Sequence, residues 1–250
     1  MEAKASYDFT ILPSVCDFDG MLSTADCFGL FMDAAAAHAD ALGVGIFAMQ
    51  QRGLFWLTVR TKVHFLRRPR MLERVTVHTR PIAPEKVRSI REYRLMQGDE
   101  LLAEGKTEWT VVETPAGKIH PMQDVFPTAV EMAAAPQYAA PFCRIDPKFD
   151  AAAHFADYTV RATDIDVGGH MNNVAYLRAL FSLLPVEAQR ALPRDTVEIA
   201  FRAPCFEGET LACCRRASED AMEFGLVKPD GTVGALIRTA SRDGAYRQSR

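Results

Sequence analysis

Two hydrophobic spacings succeed one another along the chain, and the succession occurs twice. Over residues 24–42 the apolar side chains Phe28, Leu30, Phe31, Met32, Ala35, Ala36 and Ala39 recur at helical intervals. So few polar positions remain that the helix is expected to be enclosed rather than laid on a surface. Residues 54–65 follow, rich in β-branched and aromatic side chains, and residues 75–79 alternate with period 2, so both read as strands. Residues 91–96 and 101–112 flank Gln97-Gly98-Asp99-Glu100, with Gly and Asp where a hairpin needs them.

The pattern then returns. A helical stretch over 173–184 precedes strands at 197–201, 210–215, 222–227 and 232–240, punctuated by turns at 206–209 and 228–231. An antiparallel sheet wrapped round one long central helix, written twice, predicts an α+β tandem double hot-dog. The expected division is an N-terminal unit over 1–125, a linker over 126–150 marked by Pro127, Pro136, Pro141 and Pro147, and a C-terminal unit over 151–250. Asp17-Phe18-Asp19 before the first helix and Asp164-Ile165-Asp166 before the second set the repeat at 147 residues, which also lays Leu30 on Leu177.

Composition narrows the classes of function. A chain of 250 residues with 48% hydrophobic and 24% charged content can bury a core. Its net charge of -3 carries no block of like charges, which argues against a nucleic-acid partner. The start lacks a basic stretch followed by an apolar core, and no run of 18 apolar residues occurs, so the expectation is no membrane span and a cytoplasmic location. Cysteines 16, 27, 143, 205, 213 and 214 form no matched pair of C-x-x-C motifs, so neither a structural metal nor a cofactor is expected and reduced thiols are the default.

Candidate chemistry concentrates in Asp164-Ile165-Asp166-Val167-Gly168-Gly169-His170-Met171-Asn172-Asn173, followed by Val174-Ala175-Tyr176-Leu177. Gly168 and Gly169 allow positive φ and close approach of a ligand, and Asn172 or Asn173 can cap the helix that follows. Backbone N–H groups at such a helix start suit an oxyanion, and carboxylates beside an imidazole supply acid–base groups.

This stretch resembles the acyl-acyl carrier protein thioesterases, the bacterial relatives of the plant enzymes that end fatty-acid synthesis. Supporting segments are Cys16-Asp17-Phe18-Asp19-Gly20, His38-Ala39-Asp40-Ala41-Leu42-Gly43 and Trp56-Leu57-Thr58-Val59-Arg60 in the first half, with Tyr176 and Phe206-Glu207-Gly208-Glu209-Thr210-Leu211 in the second. The resemblance implies hydrolysis of a fatty-acyl thioester in fatty acid biosynthesis, with acyl carrier protein as partner. It places Asp166 on the family's catalytic Asp and His170 on its catalytic His. Asp166 then activates a water or attacks the carbonyl itself, while His170 orients the substrate or water, or protonates the leaving thiolate.

Gly168, Gly169, Asn172, Asn173, Cys205 and Trp56 are the expected substrate-binding residues. Gly168 stands where the plant pattern has Asn, and Pro204 where it has Glu before a Cys. Competing readings are an acyl-CoA thioesterase and a non-catalytic acyl-thioester-binding protein. A tandem pair already forms a pseudo-dimer, so a homodimer is open but not required.

Two further expectations concern the first unit. At the 147-residue spacing Ser23 stands for His170, so that unit is expected to shape an acyl channel, with Ala34 to Ala37 leaving room beside its helix. Arg67-Arg68-Pro69-Arg70, with Arg74, is either a docking patch for an acidic carrier protein or simple protection of a strand end; Arg215-Arg216 is a weaker patch.

Overall fold

A computed structural model describes residues 3–128, 130–218 and 220–241, and the chain divides into two compact units, Met1–Ala139 and Ala140–Arg250. The last nine residues of the expected C-terminal unit, 242–250, lie outside the described residues.

The first unit runs β1 (Ala5–Thr10), α1 (Thr24–Ala41), α2 (Ile46–Gln51), β2 (Leu54–Phe65), β3 (Arg74–Pro81), β4 (Ser89–Gln97), β5 (Glu100–Glu113) and β6 (Lys118–His120). Its strands lie in the order β1-β3-β4-β5-β2, all antiparallel, with β6 paired to one end of β5. The second unit runs β7 (His154–Thr159), α3 (Asn173–Ser182), α4 (Val186–Ala191), β8 (Thr196–Phe201), β9 (Thr210–Ser218), β10 (Ala221–Val227) and β11 (Val233–Ala240). Its order, β7-β9-β10-β11-β8, is the same path strand for strand. Each unit is a hot-dog, an antiparallel sheet with one principal helix, and the fold class is α+β as the hydrophobic spacing predicts.

The helix α1 starts at Ser23, whose hydroxyl accepts the Asp26 N–H as an N-cap. It presses Phe28, Phe31, Ala34, Ala35 and His38 inwards, and Phe31 stacks on Tyr93 of β4 with ring centroids 4.7 Å apart. Asp33, Ala36, Ala37, Asp40 and Ala41 are exposed, so α1 is not enclosed on most sides. Counting alanine as apolar overstated the buried face, because an alanine is as easily kept in a helix by propensity as by burial.

The proline-rich segment is not a bare tether. Ile82 bridges to Ala133, Tyr138 is buried and donates its N–H to Glu92, and Arg80 reaches the Ala135 carbonyl, all within the first unit. In the second unit Cys143 donates its N–H to Glu198, and Arg216 reaches the carbonyls of Asp146 and Lys148. Each half of the segment is therefore fastened to its own sheet over rows of charged strand residues.

Candidate active site

The motif from Asp164 to Asn173 folds as a tight loop between a 3₁₀ turn, Ala162–Asp164, and the start of α3. Ile165 and Met171 form a β-bridge; inside it Asp166 donates its N–H to the His170 carbonyl, and Gly169 donates its own to the Asp166 carbonyl. Closing so short a ring needs a left-handed residue, and Gly169 supplies it at φ 75. Asn172 caps α3, its side-chain oxygen accepting the Val174 N–H at 2.9 Å.

The geometry sets Asp166 and His170 side by side. His170 Nδ1 lies 4.0 Å from Asp166 Oδ1, and the two side chains are 24% and 26% exposed. Asp166 Oδ1 accepts the Gly168 N–H at 2.8 Å, while its second oxygen has no hydrogen-bond donor among the described residues. His170 Nδ1 is 3.3 Å from the Met171 carbonyl oxygen, an arrangement that favours the proton on Nδ1. Asp164 is turned to another task. Its carboxylate accepts the Tyr158 hydroxyl and the Arg161 N–H, both at 2.8 Å, and burial with this carboxylate pushes the Tyr158 hydroxyl up to about 12. Tyr158 is missing from the sequence expectations; its signal is a tyrosine on the strand that feeds the loop.

The other expected site residues divide. Gly168 and Gly169 spend their N–H groups on Asp166, and the Val174 and Ala175 N–H groups go to Asn172, so these four are not offered to an oxyanion. Near Gly169 and the helix start, where backbone N–H groups are expected to suit an oxyanion, a loop this tight satisfies these donors itself. Asn173 occupies the first position of α3 beside the cap. Cys205 is fully buried behind the loop, its carbonyl accepting the Met171 N–H at 2.8 Å and its N–H donating to the Tyr176 hydroxyl at 3.2 Å. Burial raises its thiol pKa, the reverse of what a nucleophilic cysteine needs. Trp56 belongs to the first unit, where it donates to the Val44 carbonyl and packs on Trp109 and Phe126.

Profiles of known families decide the kinship. The acyl-ACP thioesterase N-terminal domain matches residues 2–129 and the acyl-ACP thioesterase C-terminal domain matches residues 148–241. The chain belongs to the acyl-ACP thioesterase family. Among solved structures, an acyl-ACP thioesterase from Bacteroides thetaiotaomicron superposes with a TM-score of 0.86 at 20% identity, covering 95% of this chain and 97% of that one. The 12:0-ACP thioesterase from Umbellularia californica gives 0.80 at 18% identity, covering 95% and 96%. The chloroplastic oleoyl-acyl carrier protein thioesterase of Coriandrum sativum is 21% identical over 236 residues, which take in 87% of this chain but only 64% of that protein, less than two thirds of its length.

Within the chain the two loops are structural twins, but not at the spacing read from the sequence. In the first unit Gly20 donates to the Asp17 carbonyl, Asp17 to that of Met21, Ser23 to that of Val15, and Leu22 to that of Pro69. The same four bonds in the second unit run from Gly169 to Asp166, Asp166 to His170, Asn172 to Asp164, and Met171 to Cys205. The repeat is thus 149 residues in this loop. Asp17 is the twin of Asp166 and Met21 the twin of His170; Asp19 and Asp164 merely made the two Asp-x-Asp strings look aligned. The first unit has also filled its carboxylate: Arg68 donates to Asp17 at 2.9 Å and to the Thr24 hydroxyl.

That pairing removes Arg68 from the expected docking patch. Arg67 is likewise engaged by Glu73, Glu100 and Gln97, leaving Arg70 and Arg74 as the exposed members. Arg216 of the weaker patch is bound to Glu223. The described residues hold no cluster of three or more ligand-type side chains for a metal ion and no helix long and apolar enough to cross a membrane.

Proposed function

We propose that this chain hydrolyses fatty acyl thioesters carried on acyl carrier protein, with Asp166 and His170 as the reacting pair. The observation that carries the reading is the contrast between twins. Asp166 keeps one oxygen unbonded among the described residues and has an imidazole beside it, whereas Asp17 has an arginine on it and Met21 beside it. Family membership and the names of the similar thioesterases support acyl carrier protein as the carrier.

Asp166, a quarter exposed, has solvent within reach. Its unbonded oxygen takes a proton from water as the water oxygen bonds to the thioester carbonyl carbon. Collapse of the tetrahedral species breaks the C–S bond, and the departing sulfur takes a proton from His170. Proton passage from Asp166 to His170 restores both groups, so water and thioester become fatty acid and thiol. The oxyanion donor is not among the Gly168, Gly169, Val174 or Ala175 amides. A reducing compartment such as the cytoplasm suits six free thiols.

Thiol release from acyl-carrier-protein and from acyl-CoA, over several chain lengths, is the direct test. Higher kcat/KM on the carrier-protein substrate is the expected result. Equal or better turnover of acyl-CoA reassigns the substrate, and binding without release makes the chain an acyl-thioester binder.

A further inference from the structure

Pro204-Cys205 runs beside the loop, and the second unit fastens it by a bond that the first unit cannot make. Cys205 donates its N–H to the hydroxyl of Tyr176, on the first turn of α3, at 3.2 Å. Its carbonyl accepts the N–H of Met171, the residue that follows His170, at 2.8 Å. One buried residue thus ties the helix to the strand of the loop that carries the imidazole. Tyr176 itself is buried and held edge-on against Phe201, with ring centroids 5.5 Å apart.

The first unit is an internal control. The twin of Cys205 there is Pro69, which still accepts the Leu22 N–H through its carbonyl but has no N–H to donate. At the same 149-residue spacing the twin of Tyr176 is Cys27, fully buried on α1. The tyrosine and the amide it accepts are therefore absent together, in the unit whose loop has Met21 where the second has His170. The turn itself is built alike in both units: Glu73 accepts the Arg70 N–H as Glu209 accepts the Phe206 N–H, each backed by a cation, Arg67 or Lys228. Turn stability alone therefore does not call for the tyrosine.

We infer that Tyr176 is a positioning residue for His170, acting through the Cys205 amide and the Met171 backbone. It touches no reacting atom. The inference rests on the hydrolase reading above, and the test separates the two.

Tyr176→Phe keeps the ring against Phe201 and removes only the hydroxyl that accepts the Cys205 N–H. The expected result is a fall in kcat of roughly 5- to 20-fold with KM changed less than about twofold, because the lost precision is felt at the reacting geometry. In a His170→Ala background the same substitution should cost no further kcat, since nothing is left to position. An equal loss in both backgrounds would make the bond merely structural, and no loss in the wild-type background would remove the role altogether.

If Tyr176→Phe folds poorly, Tyr176→Phe with Cys205→Pro removes the orphaned N–H in the manner of Pro69. That pair should fold and keep the kcat deficit; wild-type kcat in it overturns the inference. Ring ¹⁵N signals of His170 give a readout independent of turnover. They should move in Tyr176→Phe while those of His154 do not, even if the wild type proves to release no thiol, and unmoved His170 signals overturn the inference.

Discussion

Arg68 lies 2.9 Å from Asp17 in the first unit, and the chain position that answers to Arg68 in the second unit is Pro204. One substitution of this kind separates a neutralised carboxylate from an available one. The pair is shielded, with side chains 15% and 9% exposed, so a partner removed from it leaves a poorly solvated charge.

Arg68→Leu should therefore lower stability by about 3 kcal/mol, read as a shift in the denaturant midpoint. Arg68→Leu with Asp17→Asn should recover most of it. Turnover per folded molecule should change equally little on acyl-carrier-protein and acyl-CoA. A selective rise in KM for the carrier-protein substrate would return Arg68 to a docking surface.

Cys205 should behave as packing. Cys205→Ala is expected to keep most thiol release, because the thiol is fully buried and burial raises its pKa. Gly234 opposes it so closely that an added Cβ would stand 2.5 Å from the sulfur. Gly234→Ala should thus destabilise the fold by about 1–3 kcal/mol through overpacking, and Cys205→Ala should relieve it. A folded but inactive Cys205→Ala would point instead to a covalent thiol route.

Acid should weaken the first unit through His38. The ring is buried and accepts from Arg91 at 2.9 Å, and burial followed by the guanidinium lowers its pKa to about 4. The unfolded chain, near 6.5, binds the proton more readily than the fold. The contribution is therefore intact above about pH 6.5 and is lost as pH falls towards 4, by up to roughly 3 kcal/mol. His38→Asn keeps an acceptor for Arg91 without titrating. Stability curves of the two proteins should diverge between pH 6.5 and 4, and parallel curves would refute the assignment.

Period-2 strands with Gly-Asp turns between them were legible because burial on one face imposes that alternation. The strand 54–65 matches β2 residue for residue, and 197–201 falls short of β8 by only Thr196. The edge strands β1 and β7 leave little mark in the sequence, although Tyr7 and Phe9 alternate with polar residues, since six residues carry few repeats of any period. The loop register failed for a chemical reason. Carboxylates were matched to carboxylates, but the backbone is specified by the left-handed glycines, Gly20 and Gly169, and by the helix caps, Ser23 and Asn172. Matching those residues gives 149 directly. Pairings such as Arg68 with Asp17, 51 residues apart, depend on strand placement and leave no local mark in the sequence.

The account stands or falls on Asp166. Thiol release from acyl-carrier-protein by Asp166→Asn, measured beside its twin Asp17→Asn and normalised to folded protein, tests it most directly. Asparagine keeps the shape and the oxygen that accepts the Gly168 N–H but cannot take a proton from water, so kcat should fall by about 100-fold or more. Asp17→Asn should leave kcat within about twofold while lowering stability, since its carboxylate is spent on Arg68 and on the Asp19 and Met21 N–H groups. Near-wild-type turnover by folded Asp166→Asn would contradict the account.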